Sequence, residues 1–184
     1  FSILEASQNK RINEIKVNQD KKLLYKNMKT VELVYKKAPC FSEVFALLEK
    51  IMDSREEYLS RFIFDSIRMI CDYLEIKTEL LVSSALEKNN ALKGEDKVLE
   101  ICSLLGADEY YNAIGGRALY SCEHFRSKGI ELKFVKTDPI EYPQFKNEFQ
   151  PNLSILDVMM FNSVPKIKKM LERYTLITDE INEE

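Results

Sequence analysis

Between residues 78 and 135 the chain alternates short apolar runs with amphipathic stretches closed by glycine, and few folds accommodate that order. Residues 78–84 are apolar in the centre and polar at both ends, which reads as a buried strand. Residues 94–105 carry Val98, Leu99, Cys102 and Leu105 at helical spacing, and Gly106 supplies a C-terminal stop. Residues 108–114 read as a strand, followed by Gly115-Gly116, a helix from Arg117 through Phe125, and Gly129. Residues 130–135 then alternate cleanly as a further strand. Strand, helix, strand, helix, strand at this spacing predicts right-handed βαβ units. The expected class is α/β, with a parallel Rossmann-like sheet flanked by helices and a helical C-terminal segment over residues 153–162 and 165–174.

The upstream part is helical in pattern. Residues 12–17 alternate imperfectly, as a short strand would, and stop at Asn18-Gln19-Asp20. From Asp20, a natural N-cap, Leu24, Met28, Val31 and Tyr35 mark one helical face that Pro39 cannot continue. Ser42 reads as the cap of a second helix, through Leu48, Ile51 and Met52. Residues 58–74 form the longest periodic stretch, with an apolar stripe wide enough to pack on two neighbours.

Composition narrows the function classes. At 184 residues with 45% hydrophobic content, the chain has the size of one domain with its own core. A net charge of -3 gives no footprint for nucleic acid, and the short clusters Lys36-Lys37 and Lys166, Lys168, Lys169 read as solvated helix faces. No apolar run reaches the ~20 residues that span a bilayer, so a soluble, cytoplasmic protein without membrane insertion is expected. Cys40, Cys71, Cys102 and Cys122 stand singly among apolar neighbours and read as buried free thiols. A single histidine, His124, leaves no multi-histidine metal site, and no metal or cofactor is expected. Residues 177–184 read as a frayed acidic tail.

Three stretches carry candidate chemistry. Asn112, Gly115, Gly116, Arg117 and Tyr120 sit where a strand gives way to a helix, the position at which α/β sheets collect ligands; a plain tight turn is the alternative. The long loop between the last strand and the C-terminal helices holds Tyr142, Gln144, Asn152 and Ser154, rings and amides suited to a sugar, and leads to Asp157. Asn152 and Ser154 equally suit a helix cap, and Asp157 a favourable first-turn charge. His124 is a candidate general base or an ordinary boundary residue. Ser83, Ser84 and Lys93 flank a polar loop that could meet a phosphate, with a solvated loop as the simpler reading.

The run from Tyr110 to Tyr120, then Gly129-Ile130-Glu131-Leu132, Gln144-Phe145 and the stretch from Phe149 through Ser163, resembles the WbqC-like family of bacterial proteins. Ala6-Ser7-Gln8-Asn9-Lys10 and Tyr35-Lys36-Lys37-Ala38-Pro39 resemble it too. The resemblance spans nearly the whole chain as a single WbqC-like domain, residues 1–184. It also implies that roughly the first fifty residues, about one βαβ unit, are missing before Phe1.

What the resemblance implies is a transferase in O-antigen or other surface-polysaccharide biosynthesis, acting on a nucleotide- or lipid-linked amino sugar by acyl or glycyl transfer. Such a reaction needs a base for the amine proton and donors for the oxyanion, for which His124, Asp157 and the Gly115-Gly116 backbone are the candidates. A nucleotidyltransferase-like enzyme and a non-catalytic partner in a polysaccharide assembly complex are the alternatives, and the oligomeric state stays open.

Overall fold

A computed structural model describes residues 3–4, 7–146 and 148–178. In chain order the elements are β1 (Ile3–Leu4), β2 (Lys16–Val17), α1 (Lys21–Tyr35), α2 (Phe41–Met52), α3 (Leu59–Tyr73), α4 (Gly94–Leu105), β3 (Glu109–Ala113), α5 (Cys122–Ser127), β4 (Glu131–Thr137), α6 (Ile155–Phe161), α7 (Val164–Leu171) and β5 (Tyr174–Ile177). Short 3-10 turns cover Ile12–Glu14, Ser83–Ala85 and Ile114–Leu119. The chain forms two compact units, one from Phe1–Leu80 and Glu141–Met170, the other from Leu81–Ile140 and Leu171–Glu184.

The first unit is mostly helical. Asp20 caps α1 as its residue type predicts, its carboxylate accepting from Lys22 N at 2.8 Å. Ser42 does not cap α2; the helix starts two residues earlier, at Phe41 behind Cys40, whose N–H donates to Met160 O at 3.0 Å. The apolar stripe of α3 buries Phe62 against Val17 of β2 and Ile51 of α2. Its last turn closes with Glu75 in the left-handed region (φ 57°), where Ile76 N reaches back to Cys71 O at 2.8 Å. Lys168 on α7 then pairs with Glu75 at 2.5 Å. β1 and β2 form a two-stranded antiparallel pair, with Ile3 opposite Val17.

The second unit is built on a three-stranded sheet of order β3-β4-β5. β3 and β4 run parallel, with Tyr110 opposite Leu132, and α5 lies in the crossover between them. β4 alternates as its sequence predicts, burying Leu132 and Phe134. These residues pack with Leu99 and Cys102 of α4, Cys122 and Phe125 of α5, and Ile130 and Ile177. Gly106 ends α4 in the left-handed conformation (φ 64°), and Ala107 N closes back onto Cys102 O at 2.9 Å.

The class is mixed α/β, and a parallel Rossmann-like sheet is not what these strands build. Two differences from the sequence pattern account for this. Residues 78–82 form no strand; Leu81 and Val82 are exposed beside the turn Ser83–Ala85, because an apolar run of this length needs a neighbouring strand to pair with and has none. Residues 174–177 are the strand β5 and not the end of a helix, and they join β4 antiparallel, with Phe134 opposite Ile177. The helix expected from Arg117 is likewise a 3-10 turn followed by the shorter α5. Ile177, expected at the start of a frayed tail, is buried in the core; residues 179–184 of that tail lie outside the described residues, as do Phe1 and Ser2. The four cysteines are free, Cys102 and Cys122 buried and Cys40 and Cys71 half-buried. Among the described residues, no helix is long and apolar enough to cross a membrane.

Phe125 is fully buried and stacks on Tyr110 at 5.4 Å between centroids. Phe125→Ala is expected to lower stability by roughly 3–5 kcal/mol in urea denaturation; a loss below about 1 kcal/mol would show that this core is not packed as described.

Candidate functional site

In the first unit, the long loop folds around one carboxylate. Asp157 lies in the first turn of α6, which Ser154 caps by accepting from Leu156 N at 3.2 Å. The capping reading of Ser154 therefore holds. Asp157 itself is buried and takes three donors: Tyr142 Oη at 2.7 Å and Gln144 Nε2 at 2.8 Å on Oδ1, and Tyr35 Oη at 2.8 Å on Oδ2. Gln144 in turn accepts from Gln150 N at 2.7 Å and donates to Gln150 O at 3.2 Å, closing the loop on itself.

The rings around the carboxylate are packed edge to face, Tyr142 on Phe149 at 5.1 Å and Tyr35 on Phe161 at 6.1 Å. Burial, reinforced by the hydrogen bond to Asp157, pushes the Tyr35 and Tyr142 hydroxyls up to about 12, so both remain donors at neutral pH. Asn152 is exposed and sits in the left-handed region (φ 59°), a conformation asparagine tolerates, as does Phe145 (φ 54°). Asn162, just past α6, donates to Val158 O at 2.9 Å and leaves a buried Oδ1 with no partner among the described residues.

The remaining sequence candidates fall in the second unit. Neither Gly115 nor Gly116 adopts positive φ, so the pair does not serve a left-handed turn. Gly116 is there for space: a Cβ would lie 3.0 Å from the Asn112 side chain, which covers it. Asn112 accepts from Ala113 N at 2.7 Å and reaches Tyr110 Oη at 3.4 Å. Tyr110, Tyr120 and Phe125 form an aromatic cluster, in which burial and then the hydrogen bond to Tyr120 raise the Tyr110 hydroxyl to about 12. Arg117 is half-buried in the turn Ile114–Leu119. Ser83 and Ser84 are exposed, with the Lys88 ammonium on the Ser83 carbonyl, and Lys93 is also exposed.

His124 has a partner that the sequence did not flag. Its Nδ1 lies 2.5 Å from Glu95 Oε1, and the other oxygen of Glu95 accepts from Ser121 N at 2.9 Å. Ser121 caps α5 by accepting from His124 N at 3.2 Å. The carboxylate is thus held by the backbone on one side and faces the imidazole on the other. A carboxylate against Nδ1 keeps the proton on that nitrogen, so the neutral ring offers its lone pair at Nε2. The imidazole is 40% exposed and the Glu95 side chain 19%, so the ring edge is open to an incoming group.

A third feature, a cleft of about 730 Å³, opens in the first unit between α1, α2 and the segment through Glu57. No motif in the sequence marks its lining residues. Glu95 and Tyr35 were missed for a related reason: each reads locally as a first-turn acid or a stripe aromatic, and only the fold supplies its partner.

A sequence profile of the WbqC-like protein family matches residues 2–169. The chain belongs to the WbqC-like family. No curated protein and no solved structure matches it. The Asp157 network lies within the matched span, as do Glu95 and His124.

Because Tyr35, Tyr110 and Tyr142 bind their protons more tightly folded (about 12) than unfolded (~10), stability is full below pH ~10 and falls as pH rises from there toward 12. Ultraviolet titration of the folded protein should show a late-ionising group of tyrosines, and Tyr142→Phe should remove one of them. Ionisation of every tyrosine near ~10 would contradict the network.

Proposed function

We propose that this WbqC-like protein is a transferase that moves an acyl or aminoacyl group onto the amine of an activated sugar, nucleotide- or lipid-linked, in surface-polysaccharide biosynthesis. The observation that carries the reading is the 2.5 Å contact between Glu95 Oε1 and His124 Nδ1, with Glu95 pinned by Ser121 N. An amine adding to an acyl carbonyl must lose a proton as the new C–N bond forms and the bond to the leaving group breaks. His124 Nε2 takes that proton and returns it to the leaving group, while Glu95 stabilises the imidazolium that exists in between.

The donors for the carbonyl oxygen in this reading are the backbone N–H groups of Gly115 and Gly116, with Arg117 beside them in the chain. Asn112, held against Gly116, and Tyr120 serve the sugar. In the first unit, Tyr142 and Gln144 are spent on Asp157, whose oxygens already accept three hydrogen bonds. Asp157 therefore acts as an anchor for the loop bearing Asn152 and Ser154, and the base role rests with His124 alone.

Incubation of the protein with nucleotide-linked and lipid-linked amino sugars and a panel of acyl and aminoacyl donors should yield N-acylated sugar. His124→Gln should lower kcat by about 100-fold or more, and Glu95→Gln by roughly tenfold, with KM little changed. Turnover unaffected by His124→Gln would refute the assignment, and pyrophosphate release from a nucleoside triphosphate would indicate nucleotidyl transfer instead.

A further inference from the structure

The cleft of about 730 Å³ in the first unit falls inside the range of roughly 300–1,000 Å³ typical of small-molecule sites. Its walls are one face of α1 and one face of α2, and three kinds of group line it. The first is aromatic. Phe45 is held in place by stacking on Phe41 at 4.8 Å. Tyr25 is 65% exposed, its ring steadied by the Lys29 ammonium at 5.8 Å from its centroid. An exposed, steadied ring on a concave wall is a surface on which a flat group can stack.

The second kind is cationic. Lys29, in the lining, pairs with Glu32 at 2.7 Å, and the lining carboxylate of Glu57 is paired with Lys16 from outside the cleft at 3.1 Å. Lys21, at the start of α1, and Arg55, in the segment after α2, also line the cleft and make no ion pair among the described residues. The third kind is carboxylate. Glu49 and Asp53 stand four residues apart at the end of α2, unpaired among the described residues, where each repels the other and the negative end of the helix. Carboxylates there gain by accepting hydrogen bonds from hydroxyl groups.

A ligand that answers all three has a flat ring, vicinal hydroxyls and at least two negative charges. We propose that the α1–α2 cleft binds a nucleoside diphosphate group, with the base against Tyr25 and Phe45, the ribose on Glu49 and Asp53, and the diphosphate on Lys21 and Arg55. The assignment of a nucleoside diphosphate as the physiological ligand of this cleft rests on the transferase reading, which gives the chain a nucleotide-linked substrate class.

Isothermal titration of the protein with uridine diphosphate, adenosine diphosphate, uridine and inorganic pyrophosphate tests the site without any acyl donor. At least one diphosphate nucleoside should bind at least tenfold more tightly than uridine or pyrophosphate. The double variant Lys21→Ala, Arg55→Ala should weaken diphosphate binding at least tenfold with the circular dichroism spectrum unchanged. Tyr25→Ala should weaken the nucleotide and leave pyrophosphate as it was, and His124→Gln should bind normally. Absence of binding by both diphosphates, pyrophosphate binding as tightly as the nucleotides, or indifference to the double variant would overturn the proposal. Turnover of a lipid-linked sugar with no nucleotide bound defeats this inference and leaves the transferase standing; nucleotide bound through Lys21 and Arg55 without turnover does the reverse.

Discussion

A carboxylate withdrawn from water loses several kcal/mol of hydration unless protein donors replace the lost hydrogen bonds. Asp157 imposes that condition on the first unit, and much of the unit's irregular part follows from it. Tyr35 must stand at the last residue of α1, Tyr142 must enter beside it, and Gln144 must turn inward far enough to reach both Asp157 and Gln150. A loop with no ladder of its own is thereby ordered through side-chain bonds. Left-handed backbone at Phe145 and Asn152 costs of order 1 kcal/mol each, a strain that three charge-assisted bonds at a buried anion are strong enough to offset.

The parts of this architecture that could be read from the sequence are those whose cause is local. The Asp20 cap, the stripe of α3, the glycine stop of α4 and the alternation of β4 each follow from residues within one or two turns of one another. Strand pairing is not local. Residues 78–82 have the apolar content of a strand and find no ladder, whereas residues 174–177, which look like the frayed end of α7, find β4. With one strand lost from one edge and another gained antiparallel, a pattern that reads as repeated βαβ units becomes a single parallel pair in a mixed sheet.

The candidate site divides along the same line. Asp157, Tyr142 and Gln144 were legible because a ring, an amide and an acid recur within sixteen residues of loop and helix start. Tyr35 joins them from 122 residues away and carries no local sign of doing so. His124 drew notice only as the sole histidine, and Glu95, 29 residues earlier, looked like one more acid favoured by a helix N-terminus. Of the paired glycines, Gly116 leaves room for the Asn112 amide, a contact that composition does not show, and Gly115 has open space around it.

Two carboxylates, Asp157 and Glu95, show how the donor set decides what the same chemical group does. Asp157 is buried, and its three neighbours are two neutral hydroxyls held near 12 and an amide, none of which gives up a proton at neutral pH. Its three hydrogen bonds tie the end of α1, the long loop and the start of α6 together. Glu95 is partly exposed; a backbone N–H holds one oxygen and an imidazole meets the other. The imidazole meets that carboxylate through Nδ1 alone, which leaves its second ring nitrogen directed elsewhere. The backbone bond from Ser121 fixes the carboxylate, and the carboxylate in turn orients the ring. On the proposed transferase reading, proton transfer falls to Glu95 and His124, while the network around Asp157 holds the shape of the loop.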